Sequence, residues 1–146
     1  MTDVKIKILR EGVSIPKYAT TGSAAFDLTS ASSEPITVPA GKRVLIPTGI
    51  AISIPQNTVA IISARSGLSY KKGITAANGI GVIDSDYRGE IFFSAANISD
   101  EDYTVMPGER VAQMMIMPVL SANFIVCDEL DETDRGEGGF GSTGKA

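Results

Sequence analysis

Apolar and polar residues alternate along much of this chain. Val4, Ile6 and Ile8 are separated by Lys5 and Lys7, and Ile50, Ile52 and Ile54 by Ala51 and Ser53. Side chains on a strand point alternately to opposite faces, so both runs predict half-buried strands. Further β-rich runs extend over Thr58 to Ser63, Ile80 to Ile83, Glu90 to Ile98, Val111 to Met117 and Phe124 to Cys127. Turn signals such as Pro39-Ala40-Gly41, Pro47-Thr48-Gly49 and Pro107-Gly108 separate them. No long amphipathic helix competes, and only Gly67 to Lys72 reads as a short helix. Short strands at this spacing predict an all-β sandwich, jelly roll or distorted barrel. Gly41-Lys42-Arg43-Val44 resembles Gly108-Glu109-Arg110-Val111, each a turn glycine, a charged residue, an arginine and a valine, over too short a span to count as a repeat.

After Cys127 the pattern stops. Asp128, Glu129, Asp131, Glu132 and Asp134 lead into a tail with five glycines from Gly136 to Gly144. Such a tail cannot build a core, and ordering its glycines costs much backbone entropy, so it is expected to be mobile until something holds it. The expected division is a β-barrel core over 1–130 and a flexible glycine-rich arm over 131–146.

Composition narrows the chemistry. A length of 146 residues fits one domain, and 43% hydrophobic with 21% charged residues is a globular balance. There is no apolar run of about 18 residues, and Met1 to Lys7 interleaves charge with apolar residues, so neither a membrane span nor an export signal is expected. The single cysteine, Cys127, allows no internal disulfide; its neighbours Ile125 and Val126 suggest a buried strand position, and a reduced cytoplasmic setting fits. A net charge of -4 argues against general nucleic-acid binding. Histidine is absent, which removes Ser-His-Asp and Cys-His catalysis and, with one cysteine, any usual zinc site. Carboxylates, arginines, backbone amides and a hard metal remain.

Three segments could carry such chemistry. Ser63-Ala64-Arg65-Ser66-Gly67-Leu68-Ser69 sets a guanidinium, hydroxyls and a permissive glycine at a strand end, donors suited to phosphate oxygens. Equally, Arg65 could pair with a carboxylate and Ser66 could cap the helix. Gly81-Val82-Ile83-Asp84-Ser85-Asp86-Tyr87-Arg88-Gly89 delivers two carboxylates and an aromatic ring into a turn. Without histidine, one such aspartate is the natural general base, which at an unperturbed pKa of about 3.9 would mainly orient and polarise a water; the alternative is an ordinary hairpin in which Asp and Gly satisfy the turn and Tyr87 packs beside it. In the tail, Arg135 to Gly144 combines a cation, exposed amides, Ser142, Thr143 and a single aromatic, Phe140, which has no local packing partner and could stack on a base.

In this order, the segments resemble the five motifs of the trimeric dUTP diphosphatase (dUTPase) family, from about Ala24 to Gly144. The first is Ala24-Ala25-Phe26-Asp27-Leu28, the second Ala64-Arg65-Ser66-Gly67-Leu68 and the third Asn78 with Gly81 to Gly89. The fourth is Gly108-Glu109-Arg110-Val111-Ala112-Gln113, and the fifth Arg135 to Gly144. Ala25 and Phe26 stand where the family commonly has glycine and tyrosine, and Ala64 where proline is frequent.

The resemblance implies a jelly-roll-like distorted barrel that hydrolyses dUTP to dUMP and pyrophosphate. Such an activity supplies dUMP for thymidylate synthesis and keeps uracil out of DNA. It implies Asp84 as the base, with Gln113 near the phosphates and their bound water. Asn78 with Gly81, Val82 and Ile83 would receive uracil, and Tyr87 would lie against the deoxyribose and exclude a 2'-hydroxyl. Arg65, Ser66 and Gly67 would meet the phosphates. Arg135, Ser142 and Thr143, with Gly139 and Gly141 between them, would close on the γ-phosphate while Phe140 stacks on uracil. Mg²⁺ is the implied cofactor, with Asp27 reaching it through water. A homotrimer with shared sites is implied, acting in the cytoplasm, or in the nucleus of a eukaryote.

Overall fold

The structure, a computed structural model, describes Thr2 to Gly139. In chain order its elements are β1 (Lys5–Ile8), β2 (Phe26–Thr29), β3 (Ile36–Val38), β4 (Arg43–Pro47), β5 (Ile50–Ser53), β6 (Thr58–Ala64), α1 (Ser66–Lys72), β7 (Ile74–Ala76), β8 (Gly81–Ile83), β9 (Phe92–Asn97), β10 (Tyr103–Val105) and β11 (Arg110–Pro118). The strands form a four-stranded sheet ordered β2-β11-β6-β8, a three-stranded sheet β4-β9-β7, and the pairs β1-β5 and β10-β3. Every strand pairing is antiparallel.

Alternation explains the core. Along β11, Met114 is fully buried while its neighbours Gln113 and Met115 alternate with it or sit half-covered. Met114 lies opposite Phe26 of β2 and Ile62 of β6. Leu28, Ile62 and Met114 from the larger sheet join Ile46, Ile74 and Phe93 from the smaller one in a single apolar cluster. This is the expected all-β, jelly-roll-like arrangement. The buried polar residues are satisfied: Thr48 donates to the Ile91 carbonyl at 2.6 Å, and the Asn97 amide donates to the Val38 and Glu101 carbonyls.

The predicted turns fall where the glycines bend the chain, with Gly41, Gly49 and Gly108 at φ of 68°, 71° and 75°. The two look-alike segments both enter strands, β4 and β11. β5 is buried on both faces, since Ala51 is covered along with Ile50 and Ile52, so the predicted half-burial is corrected there. β11 carries a bulge against β2: Arg110 pairs with Thr29 and Ala112 with Leu28, leaving Val111 as the extra residue. Val111 is fully buried, and the bulge turns Arg110 outward beside the strand that holds Asp27.

The run Phe124 to Cys127 is the main departure. It forms no strand, its side chains are more than four-fifths exposed at Phe124, Ile125 and Val126, and Cys127 is exposed rather than buried. The last described strand ends at Pro118, and the final backbone tie to the sheets is Val119 N–H to the Asn57 carbonyl at 2.9 Å, so no strand among the described residues receives the run. No helix among the described residues is long and apolar enough to cross a membrane.

Candidate active site

Register across the large sheet builds one end of the site. Gln113 of β11 stands opposite Asp27 of β2 and Ser63 of β6, so the three lie in a row across neighbouring strands. The Gln113 amide donates to Ser63 Oγ at 3.2 Å and to the Ala64 carbonyl at 3.3 Å, which fixes which way its carbonyl oxygen points. β6 then ends, and Arg65 becomes the N-cap residue of α1.

Asp27 binds two arginines at once. Arg65 Nε donates to its Oδ1 at 2.8 Å and Arg110 Nη1 to its Oδ2 at 3.1 Å, while Arg65 Nη1 reaches the Arg110 carbonyl at 3.3 Å. Of the five donors on each guanidinium, Arg65 uses two and Arg110 one in these bonds. The others can meet an anion. These residues line an open cavity of about 590 Å³ with Ser66, Gly67, Lys71, Lys72, Glu109 and Gln113. The carboxylate-pairing alternative for Arg65 therefore holds, and it is compatible with a phosphate role. The capping alternative for Ser66 does not, because Ser66 is the first helical residue and the cap has no side-chain bond.

Four cations against two carboxylates favour a polyanion here. The second carboxylate, Glu109, is drawn aside: it accepts from the Tyr103 hydroxyl and from Met106 N–H at 2.9 Å. Burial, then the bond to Glu109, pushes the Tyr103 hydroxyl up to about 12. Tyr103 thus stays a donor throughout the neutral range.

The third segment builds a separate concavity. Gly81 and Ile83 of β8 pair with Ile62 and Ala60 of β6. A Cβ on Gly81 would stand 3.1 Å from Ile62 Cβ, so the hairpin lies close against β6 and a side chain here would have to push Ile62 aside by a few tenths of an ångström. Asn78, Gly81, Val82, Ile83, Ile62 and Phe92 line a slot of about 110 Å³. Asp84 opens instead on a neighbouring groove with Asp86 and Asn57. The turn is stapled by Arg88, whose Nη1 donates to the Ser85 and Tyr87 carbonyls at 2.7 and 2.8 Å. Tyr87 N–H donates to the Asp84 carbonyl at 3.2 Å, and the Tyr87 hydroxyl to the Glu90 carbonyl at 3.0 Å. Hydrogen bonds from Arg10, aided by Gly49 N–H, hold the Glu90 carboxyl below its ordinary pKa against the opposing effect of burial.

The arginine cavity and the hairpin slot share no residue. Ile83 lies opposite Ala60, five residues along β6 from Arg65, a separation of roughly 17 Å at 3.3 Å per residue. Arg135 is exposed, in a turn closed by Gly136 N–H to the Thr133 carbonyl at 3.0 Å, and Gly139 is exposed as well; neither lines the cavity or the slot. Phe140, Gly141, Ser142 and Thr143 lie outside the described residues. Within one chain, then, Asp27, Arg65, Ser66, Gly67 and Gln113 come together, and Asn78, Gly81, Val82 and Ile83 come together, but the two groups do not meet. Arg110 and Arg88 fall within the fourth and third motifs, but the sequence assigns neither them nor Glu90 a role of their own. The bulge that aims Arg110 depends on pairing with β2, although its place two residues after a turn glycine is visible.

Among the described residues no three Asp, Glu, Cys or His side chains gather as a metal-binding group. Both Asp27 oxygens already accept from arginine. The donor set fits a magnesium ion held mainly by a ligand's phosphate oxygens and waters, as Mg²⁺ commonly is, and not by a protein cage.

A dUTPase family model matches residues 11–144. Deoxyuridine 5'-triphosphate nucleotidohydrolase from Glaesserella parasuis is 48% identical, with 99% of each chain covered. The protein of that name from Fusobacterium nucleatum is 44% identical over 99% of this chain and 100% of its own. Among solved structures, Staphylococcus bacteriophage 80alpha dUTPase with dUPNHPP superposes with a TM-score of 0.90 at 25% identity, covering 99% of this chain and 100% of that one. A dUTPase mutant from phage phi11 of S. aureus, described for coordination of a structural Mg(II) ion, matches in fold with a TM-score of 0.80 at 20% identity, over 89% and 99% of the two chains. With its motif residues grouped as described and the match running over nearly its whole length, the chain belongs to the dUTPase family.

Proposed function

We propose that this protein hydrolyses dUTP to dUMP and pyrophosphate. The observation that carries the reading is the pair of guanidiniums held by Asp27 beside Gln113, a preorganised receptor for a polyphosphate in an otherwise acidic chain. Arg65, with Ser66 and Gly67, takes the phosphate chain. Asn78 and the Gly81 to Ile83 backbone take uracil in the small slot, whose wall leaves little room for a 5-methyl group. Tyr87 lies against the deoxyribose.

Asp84 accepts a proton from water as the water oxygen bonds to the α-phosphorus. The bond from that phosphorus to the bridging oxygen breaks, and pyrophosphate leaves with the electron pair. Gln113 helps to hold the phosphates and the attacking water. Mg²⁺ supplies charge neutralisation on the phosphates when bound. Asp27 can reach it through water only with a lone pair left over from its two arginine bonds. Arg135, Gly139, Phe140, Gly141, Ser142 and Thr143 close over the γ-phosphate and the base.

The working unit is a homotrimer whose sites combine residues of neighbouring subunits. Two features support this: the arginine cavity and the hairpin stand apart in one chain, and Leu120, Phe124, Ile125, Val126 and Leu130 are left exposed among the described residues. Product analysis across dUTP, dTTP, dCTP and UTP with Mg²⁺ tests the reading. Pyrophosphate and dUMP from dUTP alone are expected, whereas ammonia release from dCTP without pyrophosphate would overturn it in favour of deamination.

A further inference from the structure

Gly89 follows the turn that carries Tyr87, and what stands over it is the tyrosine itself. A Cβ built on Gly89 would lie 2.7 Å from Tyr87 Cζ and 3.2 Å from Cε2, and nearest of all to the phenol oxygen. That oxygen donates to the Glu90 carbonyl at 3.0 Å. The ring is therefore folded back across the Gly89 backbone, with its hydroxyl reaching past it. Gly89 does not occupy the left-handed region, so its backbone conformation alone does not demand glycine.

The acceptor beneath the ring is firmly held. The Glu90 carboxylate accepts from Arg10 Nε and Nη2, at 2.8 and 2.9 Å, and from Gly49 N–H at 3.0 Å. Its neighbour Ile91 donates to the Ile50 carbonyl at 2.9 Å and is almost fully buried. The ring above is 44% exposed and rests on one hydrogen bond and a flat stretch of backbone. If a methyl group were added at Gly89, the far end of the Tyr87 side chain would yield before this anchored backbone.

We propose that Gly89 is a specificity-determining position that acts through Tyr87: the missing side chain is the seat that holds the ring in the pose where it excludes a 2'-hydroxyl. This rests on the reading of Tyr87 given above. Gly89→Ala should then behave as a tyrosine variant although it leaves tyrosine in the chain.

The test measures kcat and KM for dUTP and UTP in the wild type, Gly89→Ala, Tyr87→Ala and the double variant, with urea unfolding of each. Gly89→Ala is expected to lower the dUTP-to-UTP ratio of kcat/KM by about tenfold or more, mostly through KM, with kcat on dUTP and the unfolding midpoint close to wild type. In the Tyr87→Ala background the same substitution should change the ratio less than about twofold, because no ring remains to displace. An unchanged ratio in Gly89→Ala, or an equal drop in both backgrounds, overturns the proposal. So does a Gly89→Ala protein that fails to fold, since the ring is supposed to yield first. A wild type with no preference for dUTP over UTP would sink the reading of Tyr87 itself; a preference kept in Gly89→Ala sinks only the seat.

Discussion

Asp27→Asn separates two roles for one carboxylate. The side chains of Asp27, Arg65 and Arg110 are 25%, 29% and 59% exposed. Asparagine keeps one acceptor oxygen but turns an amide toward the other guanidinium and removes the charge between two cations. A charge-assisted bond with a half-buried partner contributes about 1.5–3 kcal/mol, and an exposed pair such as that to Arg110 about 0–1 kcal/mol. Since asparagine retains part of the first bond, a net loss of about 1–2 kcal/mol is expected, lowering Tm by roughly 2–8 °C in a chain of this size. Turnover should suffer more, because a guanidinium misplaced by about 1 Å can cost about 10²-fold. The assay is pyrophosphate release over a Mg²⁺ titration, with thermal melts at equal protein concentration. If Asp27 acts by holding the arginines, kcat/KM falls while the Mg²⁺ needed for half-maximal rate moves by less than about threefold. An unchanged Tm with a Mg²⁺ requirement raised about tenfold would refute the anchoring role, since losing a metal contact typically weakens metal affinity about 10–100-fold.

Asp84→Asn should retain binding of a non-hydrolysable dUTP analogue by calorimetry and lose about 10²–10⁴ in kcat; near-normal turnover would remove Asp84 as base. Gly49→Ala forces a residue at φ 71° to carry a Cβ 2.5 Å from Val13 Cγ2 and 2.8 Å from Ala31 Cβ. Left-handed strain of about 1–2 kcal/mol and overpacking of about 1–3 kcal/mol should together lower the urea midpoint markedly. In the folded state Tyr103 titrates near 12, above its ordinary value of 10, so the folded protein holds that proton more tightly than the unfolded one. Its contribution to stability is complete below pH 10 and disappears as pH rises towards 12. Chemical denaturation between neutral pH and pH 11 should therefore show a steeper alkaline loss in wild type than in Tyr103→Phe, and parallel curves would contradict the half-buried donor.

Much of the fold was legible because it rests on local signals. Val111 to Met117 alternates over enough residues to declare a strand, and Pro47-Thr48-Gly49 declares a turn by the backbone that Gly49 alone supplies cheaply. β2, β3, β4, β7 and β10 were not legible as strands: three to five residues span only one or two periods, and what makes them strands is a partner elsewhere in the sequence. Phe124 to Cys127 failed for the same reason in reverse, with strand-forming residues but no partner strand among the described residues. At the site, residue types were readable and their grouping was not. Arg65 announced an anion site, but whether it met Asp27, and whether Arg110 joined it, depended on the bulge and on the register of β2 against β11.

Pro118 closes the last strand, and seventeen residues further on stands Arg135. At full extension such a connection spans roughly 55–60 Å, whereas a domain of this length has a radius of gyration of roughly 15 Å. Under the function proposed above, reach is therefore not what selects the site that Arg135 would serve, since in a homotrimer more than one site would lie within its range. Selection falls to what the connection meets on the way, and its length governs only the local concentration at which Arg135 is presented, which declines slowly as a linker grows. A few residues added or removed between Pro118 and Arg135 should matter far less than a change at either end.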